Sequence, residues 1–268
     1  MGLKVAISGK GGVGKTTLAG TLSRLFAAQG HRVLAVDADP DANLAFALGL
    51  PLELRRQVRT LREERRLIEE RTGAKVREFG QIFSLNPDVA DIADRYATRH
   101  AGVDLLVLGA AQEAGAGCAC PENVLLKALV RHLVLRREEV VVLDMEAGIE
   151  HLGRGTASGV DVVLAVVEPG QRSVETARRV RQMAAAIGID RFAVVGNKLT
   201  DLGRDAAWLA RELDQEPLGC IPHDPRVLTA DRQGRSLLEM DDEELLAPYR
   251  QVHSALMQRY DRAQGVTP

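Results

Sequence analysis

Hydrophobic positions along this chain alternate between two periods. Short apolar runs recur at 5–7, 32–37, 103–108, 140–143, 161–168, 191–196 and 218–221. Runs this short and nearly unbroken suit parallel strands covered on both faces. Between them, helical spacing occupies 17–29, a stretch from Pro121 to about Leu135, 173–187 and 243–259. Gly30 and Gly188 stand where helices stop, Pro121 where one starts, and Ser173 where an N-cap belongs. The alternation predicts a doubly wound, mostly parallel α/β sheet of about seven to eight strands with helices on both faces. Residues 1–268 are expected to form a single domain.

Three weaker patterns remain. Leu54, Val58, Leu61 and Ile68 lie at helical spacing in the charged segment 53–78, which predicts an arginine-rich amphipathic helix. Its polar face reads as solvated or as a docking face for a protein. Residues 79–85 read as a short strand before the turn Asn86-Pro87-Asp88, and Asp41 as the N-cap of a short helix.

Composition narrows the class. The 268 residues are 46% hydrophobic and 27% charged, with a formal net charge of -2. That balance fits an ordinary globular protein and argues against a nucleic-acid or anionic-membrane surface. No apolar stretch approaches the ~18 residues of a membrane span, and the last helix lacks the basic, bulky apolar face of a membrane anchor. The first strand begins at once, so no signal peptide is expected. Three cysteines make no disulfide framework and suit a reducing compartment, which points to a cytoplasmic enzyme. Cys220, within the last apolar run, reads as buried packing.

The strongest chemical signal is Gly9-Lys10-Gly11-Gly12-Val13-Gly14-Lys15-Thr16, between a strand and a helix beginning at Thr17. It satisfies G-x-x-x-x-G-K-[ST] in the required context. Glycines let successive amides turn toward phosphate oxygens, and the helix start adds positive potential there. Lys15 supplies charge to the β- and γ-phosphates, and the Thr16 hydroxyl is placed to ligate Mg²⁺. Asp39, past the second strand, and Asp144, ending the run 140–143, lie on the ligand side of such a sheet. Asp144 is Walker B-like, placed to hold Mg²⁺ directly or through water. Gly148 permits backbone approach to a γ-phosphate, and His151 reads as a structural histidine or, as the alternative, an acid/base or third metal ligand.

Cys118 and Cys120 are separated by one residue, directly before Pro121. On extended chain their thiols face one side, and the following helix start favours thiolate. Spacing alone leaves metal binding, free thiols and a redox pair open. Two ligands fall short of the usual four, so a symmetric dimer would be needed to complete a four-thiolate site.

Lys10 makes the loop similar to the deviant Walker A motif of the MinD/ParA/nitrogenase-iron-protein class of ATPases. The resemblance implies that Lys10 reaches a partner's nucleotide in a homodimer, and that Asp39 orients the attacking water. It implies that ATP or ADP sits on residues 9–17, with Asn197 on the adenine and Lys198, Pro222, His223 and Asp224 framing the base. More narrowly, Gly117-Cys118-Ala119-Cys120-Pro121, the segment 142–152 and the stretch 91–96 resemble the CooC-type carbon monoxide dehydrogenase maturation ATPases. That implies Ni²⁺ or Zn²⁺ on Cys118 and Cys120, shared across the dimer, and nickel insertion into carbon monoxide dehydrogenase as the service performed. The alternatives are a maturation ATPase for acetyl-CoA synthase and a MinD/ParA-like positioning ATPase without metal cargo. An iron-sulfur redox ATPase is a poorer match, because its two ligand cysteines lie far apart in sequence.

Overall fold

The computed structural model describes residues 2–39, 41–76, 82, 84–109, 121–136, 139–149, 152 and 159–260. Its strands are β1 (Lys4–Ser8), β2 (Val33–Ala38), β3 (Thr98–His100), β4 (Val103–Val107), β5 (Val140–Met145), β6 (Val162–Val167), β7 (Phe192–Leu199) and β8 (Gly219–Pro222). They form one sheet in the order β3-β4-β2-β5-β1-β6-β7-β8. All pairings are parallel except β3 with β4, an antiparallel edge. The expected doubly wound sheet is therefore present, with eight strands among the described residues.

Helices α1 (Lys15–Ala28), α2 (Leu44–Ala47), α3 (Leu52–Arg55), α4 (Arg65–Thr72) and α5 (Ile92–Tyr96) precede α6 (Pro121–Arg136). Then come α7 (Gln171–Ile187), α8 (Leu202–Leu213), α9 (Pro225–Gln233) and α10 (Glu243–Tyr260). Alternate strand residues feed opposite sides of the sheet. Val5 and Ile7 join Leu18, Leu22 and Phe26 of α1 and Val252 and Leu256 of α10. Ala6, Val141 and Leu143 meet Leu125, Leu129 and Leu133 of α6 on the other side. This two-sided burial is why the strand residues read as apolar runs rather than as alternation.

Several local expectations need correction. Segment 53–78 is not one helix but α3, a short 3₁₀ turn at Leu61–Glu63 and α4. Thr60 bridges Val107, and the Arg62 N–H donates to the Leu108 carbonyl at 3.1 Å, which pulls the backbone out of helical geometry. The chain thereby rounds the sheet edge. Leu54 and Val58 pack against one core while Leu61 and Ile68 enter the other. Asp41 is not an N-cap: α2 starts after Asn43, and the Asp41 N–H donates to Asp39 Oδ1. Ser173 is not one either, since α7 starts after Gly170 and Ser173 Oγ instead accepts from the Glu168 N–H. Cys220 is half-buried, not fully buried, and burial pushes its thiol pKa up. The expected strand over 79–85 falls largely outside the described residues, as do Cys118, Cys120 and His151.

Candidate functional site

β1 lies at the centre of the sheet, and the chain crosses to β2 on one side and later to β6 on the other. This is the topological switch point, where parallel sheets open a crevice at their carboxyl ends. The glycine-rich loop leaves β1 into that crevice and α1 begins at Lys15. Two glycines are indispensable there. Gly9 (φ 152°) sits so close to β6 that a Cβ would come 2.4 Å from the Val166 carbonyl oxygen. Gly14, left-handed at φ 99°, would carry a Cβ 2.3 Å from Asn197 Nδ2. Val13 is buried beneath the loop, and its N–H donates to the Lys10 carbonyl at 3.3 Å. The result is a closed turn over a helix start, the geometry that presents amides and positive potential to an anion.

Acidic groups gather on the β2–β5 flank. Asp37 and Asp144 stand opposite one another in the parallel register, and Asp144 also faces Ile7 of β1. Asp37 is satisfied: its Oδ2 accepts from the Leu44 N–H at 2.9 Å and its Oδ1 from the Asp39 N–H at 3.2 Å. Asp39 turns toward the loop, 3.9 Å from the Lys15 ammonium. Asp144 is fully buried, yet neither carboxylate oxygen has a hydrogen-bond partner among the described residues. The Thr16 hydroxyl favours its charge without completing an ordinary hydrogen bond. Burial pushes the Asp37 carboxyl up to about 6. Burial does the same to Asp144, up to about 7, helped by the neighbouring Asp37 charge and opposed by Thr16 and Lys15. An orphaned carboxylate beside a phosphate loop is the donor that a divalent cation requires. Among the described residues no three His, Cys, Asp or Glu side chains converge as a dedicated cage. Thr16, Asp144 and Asp39 thus suit Mg²⁺, which uses one or two carboxylates together with phosphate and water.

The β6–β7 flank is different, because its polar groups are already engaged with the loop. Asn197, 7% exposed, donates from Nδ2 to the Val13 carbonyl at 2.8 Å. Lys198 donates from Nζ to the Gly12 carbonyl at 2.5 Å. The β7–β8 register shifts between Gly196 and Leu199, and Lys198 takes a left-handed φ of 58°. A non-glycine residue there carries about 1–3 kcal/mol of strain, which aims the side chain at the loop. Asn197 was expected at the adenine. Its contact with the phosphate loop could not be foreseen, since it joins positions 184 residues apart.

The remaining predicted residues divide similarly. Pro222 ends β8, and the His223 N–H donates to the Leu199 carbonyl at 2.8 Å, which places the 222–224 loop beside the end of β7. Asp224 is occupied as the N-cap of α9 and pairs with Arg226 at 2.6 Å, which holds its carboxyl below the usual range. Lys10 pairs with Glu168 at 2.9 Å. Ser8 carries no recognisable signal in the sequence. Its hydroxyl is shared between the carbonyls of Glu146 (2.9 Å) and Gly148 (3.1 Å), which ties the exit of β5 to the start of the loop. A cavity of about 610 Å³ among Pro169, Thr200, Asp201, Arg204, Trp208 and Arg211 has no residue of the phosphate loop among its described lining.

The family model described as the CobQ/CobB/MinD/ParA nucleotide binding domain matches residues 4–237. The carbon monoxide dehydrogenase accessory protein CooC of Rhodospirillum rubrum is 42% identical, over 99% of this chain and 100% of that protein. An uncharacterized ATP-binding protein of Methanocaldococcus jannaschii, MJ0823, is 44% identical over 88% of this chain and 91% of its own. In fold, the chain is similar to the septum site-determining protein MinD of Pyrococcus horikoshii complexed with Mg-ADP. That match has a TM-score of 0.68, 18% identity, and covers 99% of this chain and 98% of the other. With the loop, its lysine and the strand-end carboxylates in place, the chain belongs to the CobQ/CobB/MinD/ParA nucleotide-binding family, within its CooC-type group, and is a P-loop ATPase.

Proposed function

We propose that this chain is a single-domain, cytoplasmic, Mg²⁺-dependent ATPase that closes into a homodimer on nucleotide and serves nickel insertion into carbon monoxide dehydrogenase. The observation that carries the ATPase chemistry is the juxtaposition around the loop of Lys15, Asp39 and Asp144, the last without a hydrogen-bond partner among the described residues. Support for the client comes from the likeness to CooC over the full chain.

In this reading the loop amides and Lys15 hold the β- and γ-phosphates and stabilise the charge that develops during in-line attack by water. Asp39 accepts a hydrogen bond from that water and orients it. Mg²⁺, when bound through Thr16, Asp144 and Asp39, neutralises phosphate charge. Asn197 keeps its amide oxygen for the adenine amino group while its nitrogen holds Val13, and Lys198 with residues 222–224 borders the base. Lys10 completes the partner's site. Ser8, through Glu146 and Gly148, couples loss of the γ-phosphate to the segment after β5. The nickel cargo would bind on Cys118 and Cys120 of both protomers, four thiolates in all; Zn²⁺ suits the same ligands.

Metal content and oligomeric state, measured together for wild type and Cys118→Ala/Cys120→Ala, test this reading. Samples without nucleotide, with ADP and with a non-hydrolysable ATP analogue are compared. About one metal per two chains, lost with the cysteines, is expected for a four-thiolate site shared by the dimer. Nucleotide-driven dimers that carry no metal in the wild type would overturn the cargo.

A further inference from the structure

The lysine expected to serve a partner's site is already engaged within its own chain. Lys10 Nζ lies 2.9 Å from Glu168 Oε1, with 37% and 29% of the two side chains exposed. Rigid backbone on both sides enforces the encounter. β1 and β6 run in register from Val5–Val162 to Ser8–Ala165, so the loop leaves β1 beside the end of β6. The tight seating of Gly9 on Val166 leaves little slack in that exit. Glu168 is anchored in turn by its N–H, which donates to Ser173 Oγ at 3.1 Å in the first turn of α7.

The exposure of the pair decides what it can do. A buried ion pair would hold Lys10 permanently, because separating it would strand a charge out of water. A pair this open is worth little, and either member can be rehydrated or exchanged when another ion competes. Resting on the reading that Lys10 acts in the partner's site, we propose that Glu168 is an intramolecular latch on Lys10. In the separate protomer the Glu168 carboxylate holds the ammonium. On dimer closure Lys10 leaves it for the more highly charged polyphosphate of the opposite nucleotide. Closure is then an exchange of anionic partners, disfavoured when the opposite site is empty, because no anion there replaces the carboxylate. Glu168 is in these terms a positioning residue that sets how much nucleotide occupancy is needed to close the dimer.

Glu168→Gln keeps the shape and removes the charge, and sedimentation velocity with Mg²⁺ and a non-hydrolysable ATP analogue reads the effect. Two latches are released per dimer, so the variant is expected to dimerise about tenfold more tightly than wild type, from the few-fold worth of each exposed pair. The advantage is expected to narrow as salt rises, because exposed charges are screened. Without nucleotide the variant is expected to remain monomeric. In a Lys10→Ala background Glu168→Gln should change nothing, since no ammonium is left to release. Equal dimerisation of wild type and Glu168→Gln, or tightening that persists in the Lys10→Ala background, would overturn the latch alone. A wild type that never dimerises with nucleotide would instead overturn the reading of Lys10 as a trans-acting residue, and the latch with it.

Discussion

The two flanks of the phosphate loop are built on opposite principles. On the β2–β5 side stand two buried carboxylates in adjacent strands, and Asp144 has no hydrogen-bond partner among the described residues. On the β6–β7 side, Asn197 and Lys198 are each already bonded to carbonyls of the loop. On the first flank Asp144 is left without a partner among the described residues, and a cation with its phosphates would complete it. The second is complete without ligand and fixes the loop's shape in advance. One flank thus provides ligand dependence and the other provides preorganisation, the division that electrostatic catalysis requires.

Breaking the unsatisfied flank should have the larger effect on binding. Asp144→Asn is expected to weaken Mg²⁺-dependent nucleotide binding about 10- to 100-fold, read by calorimetry with ADP in the presence and absence of Mg²⁺. The same variant sharpens the comparison through pH. Asp37 and Asp144 are held at about 6 and about 7, above the ordinary 3.8, so the folded protein retains protons that the unfolded chain releases. In chelator, this pair's contribution to stability is fullest below about pH 4, falls as pH rises to about 7, and is flat above that. The unfolding midpoint of metal-free wild type should therefore drop between about pH 4 and 7, and Asp144→Asn should reduce that slope. A nucleotide affinity in Mg²⁺ unchanged by the substitution would remove the cation from this flank.

Breaking the satisfied flank should act first on stability. Asn197→Ala leaves the buried Val13 carbonyl without its partner, which costs about 1–3 kcal/mol. The thermal midpoint should fall by roughly 2–4 °C for each kcal/mol lost, with the Mg²⁺ requirement for nucleotide binding intact. If the variant melts like wild type but loses nucleotide affinity, then the contact with Val13 contributes little and Asn197 serves the base alone.

Legibility in the sequence followed the range of the interactions. Strands covered on both faces declare themselves by composition, and the phosphate loop by fixed spacing over eight contiguous positions, so sheet, loop, Asp39 and Asp144 were readable. The break in 53–78 was not, because it depends on Thr60 and Arg62 meeting the distant β4. Ser173 and Asp41 are ambiguous in sequence for a related reason. A polar residue near a helix start can cap its own helix or bond a neighbouring strand or turn, and local sequence does not separate the two. Ser8, Glu168 and the loop-facing role of Asn197 were invisible for lack of any local pattern, each joining segments more than 130 residues apart.

The claim that joins the two flanks is that Asp39 acts within its own protomer and Lys10 in the other. Complementation between two disabled variants tests it most directly. Lys10→Ala and Asp39→Ala are each expected to lose ATP hydrolysis alone. Mixed in equal amounts, they form heterodimers in which one site draws intact Asp39 from one protomer and intact Lys10 from the other. Hydrolysis should return to about a quarter of wild type, since half the dimers are mixed and each has one complete site. No recovery on mixing, with heterodimers present by sedimentation, would contradict a partner-completed site.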